Sequence, residues 1–246
     1  MSFRTSVGTS DADSITVMGR DLATELMGKV TLTELAFLIV QQRMPTAEET
    51  RLFDTVLVSL ADHGLTPTVL AARLTHTGAP ESIQGAVAAG LLGAGSVFLG
   101  VVEDTARFLE TTGEDVEGAV ERELEAGRRI PGLGHPVHRV QDPRTPRIYA
   151  IAEETGLLGS HLSRLREVAA AHTKHAGREL PINGAGVAGA ALADLGFPIP
   201  LLRGFALLAR TAGLLGHLAE EMEHPLGMPL YREVDERAEY DPPTGE

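Results

Sequence analysis

Helix-starting and helix-stopping signals punctuate this chain at short intervals, and almost nothing in it alternates with the period of a strand. Thr31-Leu32-Thr33-Glu34 reads as a capping box before the apolar run LAFLIVQQR, because a Thr hydroxyl and a Glu three residues on satisfy each other's backbone N–H groups. Pro45-Thr46-Ala47-Glu48-Glu49 opens a second helix, in which apolar residues recur through LFDTVLVSLADHG up to Gly64. Pro67 starts TVLAARLTHTG, and Gly113 and Asp115 precede VEGAVERELEAG, which ends at Gly127 and Pro131. Arg128 and Arg129 suit the negative end of that helix dipole. PRIYAIAEETG, HLSRLREVAAAHTKHAG, GAALADLG and LLRGFALLARTAGLLGHLAEEMEH follow as further helices. Val/Ile/Thr alternation occurs only near Ser14–Val17, too little for a sheet. The expected fold is all-α. Its irregular stretches are Ile130–Arg144, Glu179–Gly186 and a Pro-rich tail after Glu223, and such loops are where chemistry tends to sit.

With 246 residues the chain has room for one large domain or two lobes. Aromatics make up only 4 %, with no Trp, while Gly and Ala abound, so the helices are expected to approach one another closely. The absence of cysteine excludes disulfides, thiolate metal sites and a Cys nucleophile. It fits a cytoplasmic protein, as does an N-terminus without an apolar stretch of signal-peptide type. Gly85–Val102 carries no charge but is rich in Gly and Ala, and reads as a buried helix pair rather than a membrane span. A net charge of −13 argues against nucleic acid and anionic membranes as partners. Within that acidic chain, residues 128–178 hold nine Lys or Arg against four acids. Such a run is either a solvated helix face or a site for an anionic small molecule.

Two motifs are set aside. Gly184-Ala-Gly186-Val-Ala-Gly189 fits GxGxxG, but no strand or βαβ unit surrounds it. Close helix packing is expected there instead. His217, Glu220, Glu221 and His224 share one helix face, yet their spacing matches no zinc-protease pattern and reads as a helix-surface cluster. His172 and His175 carry still less, and no metal site is expected.

The segment Ile130–Arg147, IPGLGHPVHRVQDPRTPR, has Pro and Gly to shape a loop close to a ligand. A His that polarises a carbonyl, beside an Arg that clamps a carboxylate, suits oxo-acid chemistry; His135 and Arg144 are the candidates. PGLGHPVHRVQDPR resembles the PG[FY]GH…DPR segment of citrate synthases. Ala61-Asp62-His63 resembles the family's A-D-H-E segment, and FALLARTAGLLGHLAEE its F-A-x-A-R-T-x-G helix. ITVMGRDLATELMGKVTLTELAFLIVQQRMPTAEE is similar to its N-terminal stretch. These four segments occur in the family's order and span residues 15–221.

The resemblance implies a two-lobed helical homodimer, with a large lobe from residues 1–106 and 203–246 and a small lobe from 107–202 covering CoA. It implies that His63 hydrogen-bonds a dicarboxylic acid and shares the catalytic site with His135, which donates to the oxo or hydroxyl oxygen. Arg144 and Arg210 would bind carboxylates, Gly132 and Gly134 would shape the CoA-adenine loop, and Arg139 would meet CoA phosphate. Two departures stand out. Ser96 occupies the position of the family's first catalytic His, and Ala185 that of its catalytic Asp. The Arg given across the dimer has Arg232 and Arg237 as candidates. Condensation needs a base to take a proton from carbon, whereas cleavage of a β-hydroxyacyl-CoA begins at a hydroxyl. The expected activity is therefore of citryl-CoA lyase type, giving acetyl-CoA and a 2-oxo acid such as oxaloacetate. The alternatives are a condensing acyltransferase and a non-catalytic CoA-thioester binder. CoA or acyl-CoA enters as substrate, with no tightly bound cofactor.

Overall fold

The computed structural model describes residues 2–243. Eleven α-helices dominate these residues: α1 (Leu32–Gln41), α2 (Ala47–Ala61), α3 (Pro67–Gly78), α4 (Ile83–Leu92), α5 (Val101–Thr112), α6 (Val116–Glu125), α7 (Arg144–Glu154), α8 (Ser160–Ala176), α9 (Gly184–Asp194), α10 (Leu202–Glu223) and α11 (Gly227–Arg237). The capping box at Thr31 is formed in both directions, with the Glu34 carboxylate accepting from the Thr31 N–H at 2.7 Å. Asp115 caps α6 through the Gly118 N–H.

Three expectations are corrected. A small antiparallel sheet does form, from β1 (Gly8–Ser10), β2 (Ile15–Val17) and β3 (Arg20–Asp21), paired β1-β2-β3. The β2–β3 hairpin turns on Met18 and Gly19, both at positive φ (51° and 75°), as a two-residue turn of the right twist demands. The tail after Glu223 is not irregular, because Gly227–Arg237 is α11. Pro229 falls in its first turn, where no backbone N–H needs an intrahelical acceptor. Nor is Gly85–Val102 a buried helix pair: a turn separates α4 from α5, and Leu92 and Val97 are exposed.

Chain contacts divide the fold into two compact units, residues up to Ser59 with Val101–Arg203, and Leu60–Gly100 with Gly204 onward. The first unit places the N-terminal segment with residues 101–203. The reason is aromatic packing: Phe37 of α1 and Phe53 of α2 meet Phe197 with ring centroids 5.2 and 4.9 Å apart. All three rings are buried, and each such pair adds about 0.5–1.5 kcal/mol beyond area burial.

In the second unit Val69, Ala72, Ala86, Leu214 and Leu218 form the core between α3, α4 and α10. Ile199–Glu223 is long and apolar enough to cross a membrane by length and composition, but α10 turns Leu214 and Leu218 into that core. The small residues act as expected. A Cβ on Gly90 would lie 2.8 Å from Leu214, and one on Gly189 would lie 2.1 Å from the Val102 carbonyl. Gly189 of the GxGxxG run thus brings α9 onto α5.

Candidate active site

In the first unit the loop from Ile130 is stitched to the segment before α9. Leu133 pairs with Ile182, Gly134 N–H donates to the Pro181 carbonyl at 2.8 Å, and Asn183 N–H donates to the Gly132 carbonyl at 2.9 Å. Asn183 fixes the loop a second time: its Oδ1 caps α9 through the Gly186 N–H, while its Nδ2 donates to the Gly134 carbonyl at 2.8 Å. Gly132 and Gly134 sit at φ +87° and +79°, which other residues reach only under strain. A Cβ on Gly132 would also lie 2.9 Å from Thr105 Oγ1 and 3.2 Å from the Gly186 Cα.

His135 follows directly. Its Nδ1 accepts from the backbone N–H groups of Val137 (3.1 Å) and His138 (2.9 Å). Since Nδ1 is an acceptor, the neutral ring carries its proton on Nε2 and presents a donor there. The His138 ring stacks on it, centroids 4.5 Å apart. Arg139 stands exposed two residues past Val137.

Arg144 opens α7. Its Nε and Nη2 donate to the two oxygens of Asp142 at 2.9 and 2.7 Å, and Asp142 also accepts from the Gly184 N–H at 2.7 Å. Burial alone would raise the Asp142 carboxyl, but the Arg144 guanidinium, helped by the backbone donors, outweighs it and holds the pKa at about 2. The guanidinium is therefore oriented in advance and keeps its Nη1 edge, which makes one long contact of 3.4 Å to the Ser59 carbonyl. Of the nine basic groups between residues 128 and 178, Arg128, Arg144, Arg147, Arg166 and Lys174 pair with carboxylates of this chain.

His63 and Arg210 belong to the second unit. His63 is half-buried in the turn after α2, and Arg210 is buried on α10. Of the helix-face cluster, Glu220 and His224 are exposed as expected, but His217 is half-buried and Glu221 is buried, which corrects the expectation for those two. Glu221 is buried and bound to buried Arg73 of α3 at 3.0 Å, and its oxygens also take the N–H groups of Leu226 and Gly227 at the start of α11. His217 bonds Arg73 through Nδ1 (3.1 Å) and Asp62 through Nε2 (2.9 Å). Ser96 lies exposed in the turn between α4 and α5, and Ala185 is the half-buried second residue of α9.

Residues 20–233 match the family model "Citrate synthase, C-terminal domain". The chain belongs to the citrate synthase family. Among solved family structures, the citryl-CoA lyase of Hydrogenobacter thermophilus superposes with a TM-score of 0.90 at 30 % identity, over 99 % of this chain and 96 % of that one. An ATP citrate lyase from Methanothrix soehngenii, in complex with citrate and coenzyme A, shares the fold with a TM-score of 0.82 at 23 % identity, over 99 % of this chain and 42 % of its own. By sequence the chain is 27 % identical over 176 residues to the citrate synthase of Haloferax volcanii, covering 70 % of this chain and 46 % of the relative. It thus spans about half the length of the curated relatives it matches.

The family motifs pointed to His63, His135, Arg144 and Arg210. Sequence reasoning missed Asp142, Asn183, Asp62, His217 and Arg73 as the groups that hold them or their loops. Asp142 and Asp62 carried a signal, each standing within two residues of a motif residue. Arg73 carried none.

Proposed function

We propose that the protein cleaves a β-hydroxyacyl-CoA of the citryl-CoA kind to acetyl-CoA and a 2-oxo acid such as oxaloacetate. The observation that carries this reading is the reciprocal match to a citryl-CoA lyase, 99 % of one chain against 96 % of the other. The matches to two citrate synthases cover only 46 and 48 % of their own length.

His63, His135, Arg144 and Arg210 are the substrate-handling residues in this reading, the arginines acting on carboxylates. His135 donates its Nε2–H to the oxygen that turns from hydroxyl to carbonyl, a role supported by the two backbone donors on Nδ1. The hydroxyl proton leaves to a neighbouring base, for which His138, stacked on His135, is the candidate. The C–C bond breaks, its electron pair passes into the thioester enolate, and a proton is returned to carbon to give acetyl-CoA. Ala185 supplies no carboxylate to return that proton, so it comes from water or from a neighbour such as His138 or Ser96. Gly132, Gly134 and Arg139 take CoA.

The test is to incubate the protein with citryl-CoA and follow oxaloacetate and acetyl-CoA. Release of both, reduced about 10²–10⁴-fold in His135→Ala, supports the proposal. No release by the wild-type protein, or an unaffected variant, contradicts it.

A further inference from the structure

We propose that His217 is a positioning residue, which with Arg73 fixes the Asp62–Gly64 turn and so aims His63. The inference rests on the reading of His63 as a substrate-binding residue.

An Arg guanidinium has only donors, so the 3.1 Å contact from Arg73 Nη2 makes His217 Nδ1 an acceptor. The proton of the neutral ring is thereby placed on Nε2, which donates to Asp62 Oδ1 at 2.9 Å. Asp62 Oδ2 in turn accepts from the Gly64 N–H at 2.9 Å. The carboxylate therefore grips the turn on the far side of His63 while His217 grips the carboxylate. Burial pushes the Asp62 carboxyl up, but the Gly64 N–H and His217 outweigh it and hold it ionised below its ordinary value, with a smaller contribution from the His63 N–H.

The other end of the chain of contacts is equally fixed. Arg73 is locked by buried Glu221 and also donates to Glu220, whose carboxylate lies 3.8 Å from His217 Nδ1. The helices come close enough for this because of Gly213. A Cβ there would lie 2.1 Å from the Ala61 carbonyl, so α10 passes directly against the end of α2 one turn before His217. None of these groups besides His63 needs to touch substrate, and their hydrogen bonds all converge on one three-residue turn.

The experiment combines titration of oxaloacetate by calorimetry with ¹H–¹⁵N NMR of ¹⁵N-histidine protein. The variants are His217→Leu, His217→Gln and His63→Ala. Gln retains an N–H donor near the Nε2 position, so His217→Gln is expected to bind oxaloacetate within about threefold of wild type, and His217→Leu about 10- to 100-fold more weakly, as misplacement of a binding group costs. The His217 ring is expected to be the pure Nε2–H tautomer. Weak binding by both His217 variants, or by neither, overturns the proposal, as does an Nδ1–H or mixed tautomer, which remains readable even if His217→Leu fails to fold. Unchanged binding by His63→Ala overturns instead the underlying reading of His63, and the positioning role with it.

Discussion

Asp142 accepts hydrogen bonds from both Nε and Nη2 of Arg144, two residues further along the chain, at 2.9 and 2.7 Å. Asp142 is fully buried, so the pair is screened little. Its carboxyl titrates at about 2 in the fold against an ordinary 3.8. A depressed carboxylate pKa contributes stability that is complete above the ordinary value and disappears as pH falls through the folded one. Here that contribution is about 2 kcal/mol. Asp142→Asn is expected to lower unfolding stability by about that amount at pH 7, with the gap closing between about pH 4 and pH 2. Urea unfolding of both proteins across that range checks it.

Glu221 makes a second buried pair, with Arg73, while taking the two N–H groups that open α11. Glu221→Ala leaves a buried guanidinium partly unpaired and two helix-terminal donors unmet. The expected cost is about 3–5 kcal/mol, read as a lowered midpoint in chemical denaturation. Burial would raise the Glu221 carboxyl, but the Leu226 and Gly227 N–H groups and Arg73 lower it on balance. The wild-type contribution should therefore shrink as pH falls below the ordinary Glu range.

Arg139 is exposed on the loop that we assign to CoA. Arg139→Glu should weaken CoA binding about 10- to 100-fold, the worth of one charge-assisted hydrogen bond, and leave oxaloacetate binding nearly intact. Calorimetry with each ligand separately decides it. Equal loss of both would assign Arg139 a structural role.

Leu208, Leu215 and Met222 recur every two turns along α10 and remain exposed, as do Leu92 at the end of α4 and Val97 in the turn after it. An apolar stripe of this kind calls for a partner surface, and we propose a homodimer. Sedimentation at micromolar concentration should give twice the chain mass of 26.1 kDa. Leu215→Glu should shift the population toward monomer.

The helices were legible because their ends carry chemistry that a sequence displays: the Thr31–Glu34 box, Asp115 before α6, Pro67 opening α3. The sheet was legible only at β2, whose alternation near Ser14–Val17 stood alone, because strands of two and three residues hold too few side chains to show a pairing pattern. α11 was hidden by Pro225 and Pro229, which read as breakers although Pro229 falls where a helix tolerates it. The candidate site shows the same division. His135 and Arg144 stand in one recognisable loop, and His63 and Arg210 in two recognisable segments. Arg73 and Glu221 meet across 148 positions, and no local pattern joins residues so far apart.

In the proposed reaction the chain opens a β-hydroxyacyl-CoA without a carboxylate to deprotonate acetyl-CoA, since Ala185 stands at the second position of α9. NMR in D₂O of the protein with citryl-CoA, beside a matched sample with acetyl-CoA alone, tests both halves at once. Citryl-CoA is expected to be converted to oxaloacetate and acetyl-CoA carrying one deuterium in its methyl group, with acetyl-CoA alone exchanging far more slowly than that conversion. Methyl exchange as fast as cleavage, or no cleavage of citryl-CoA, would contradict it.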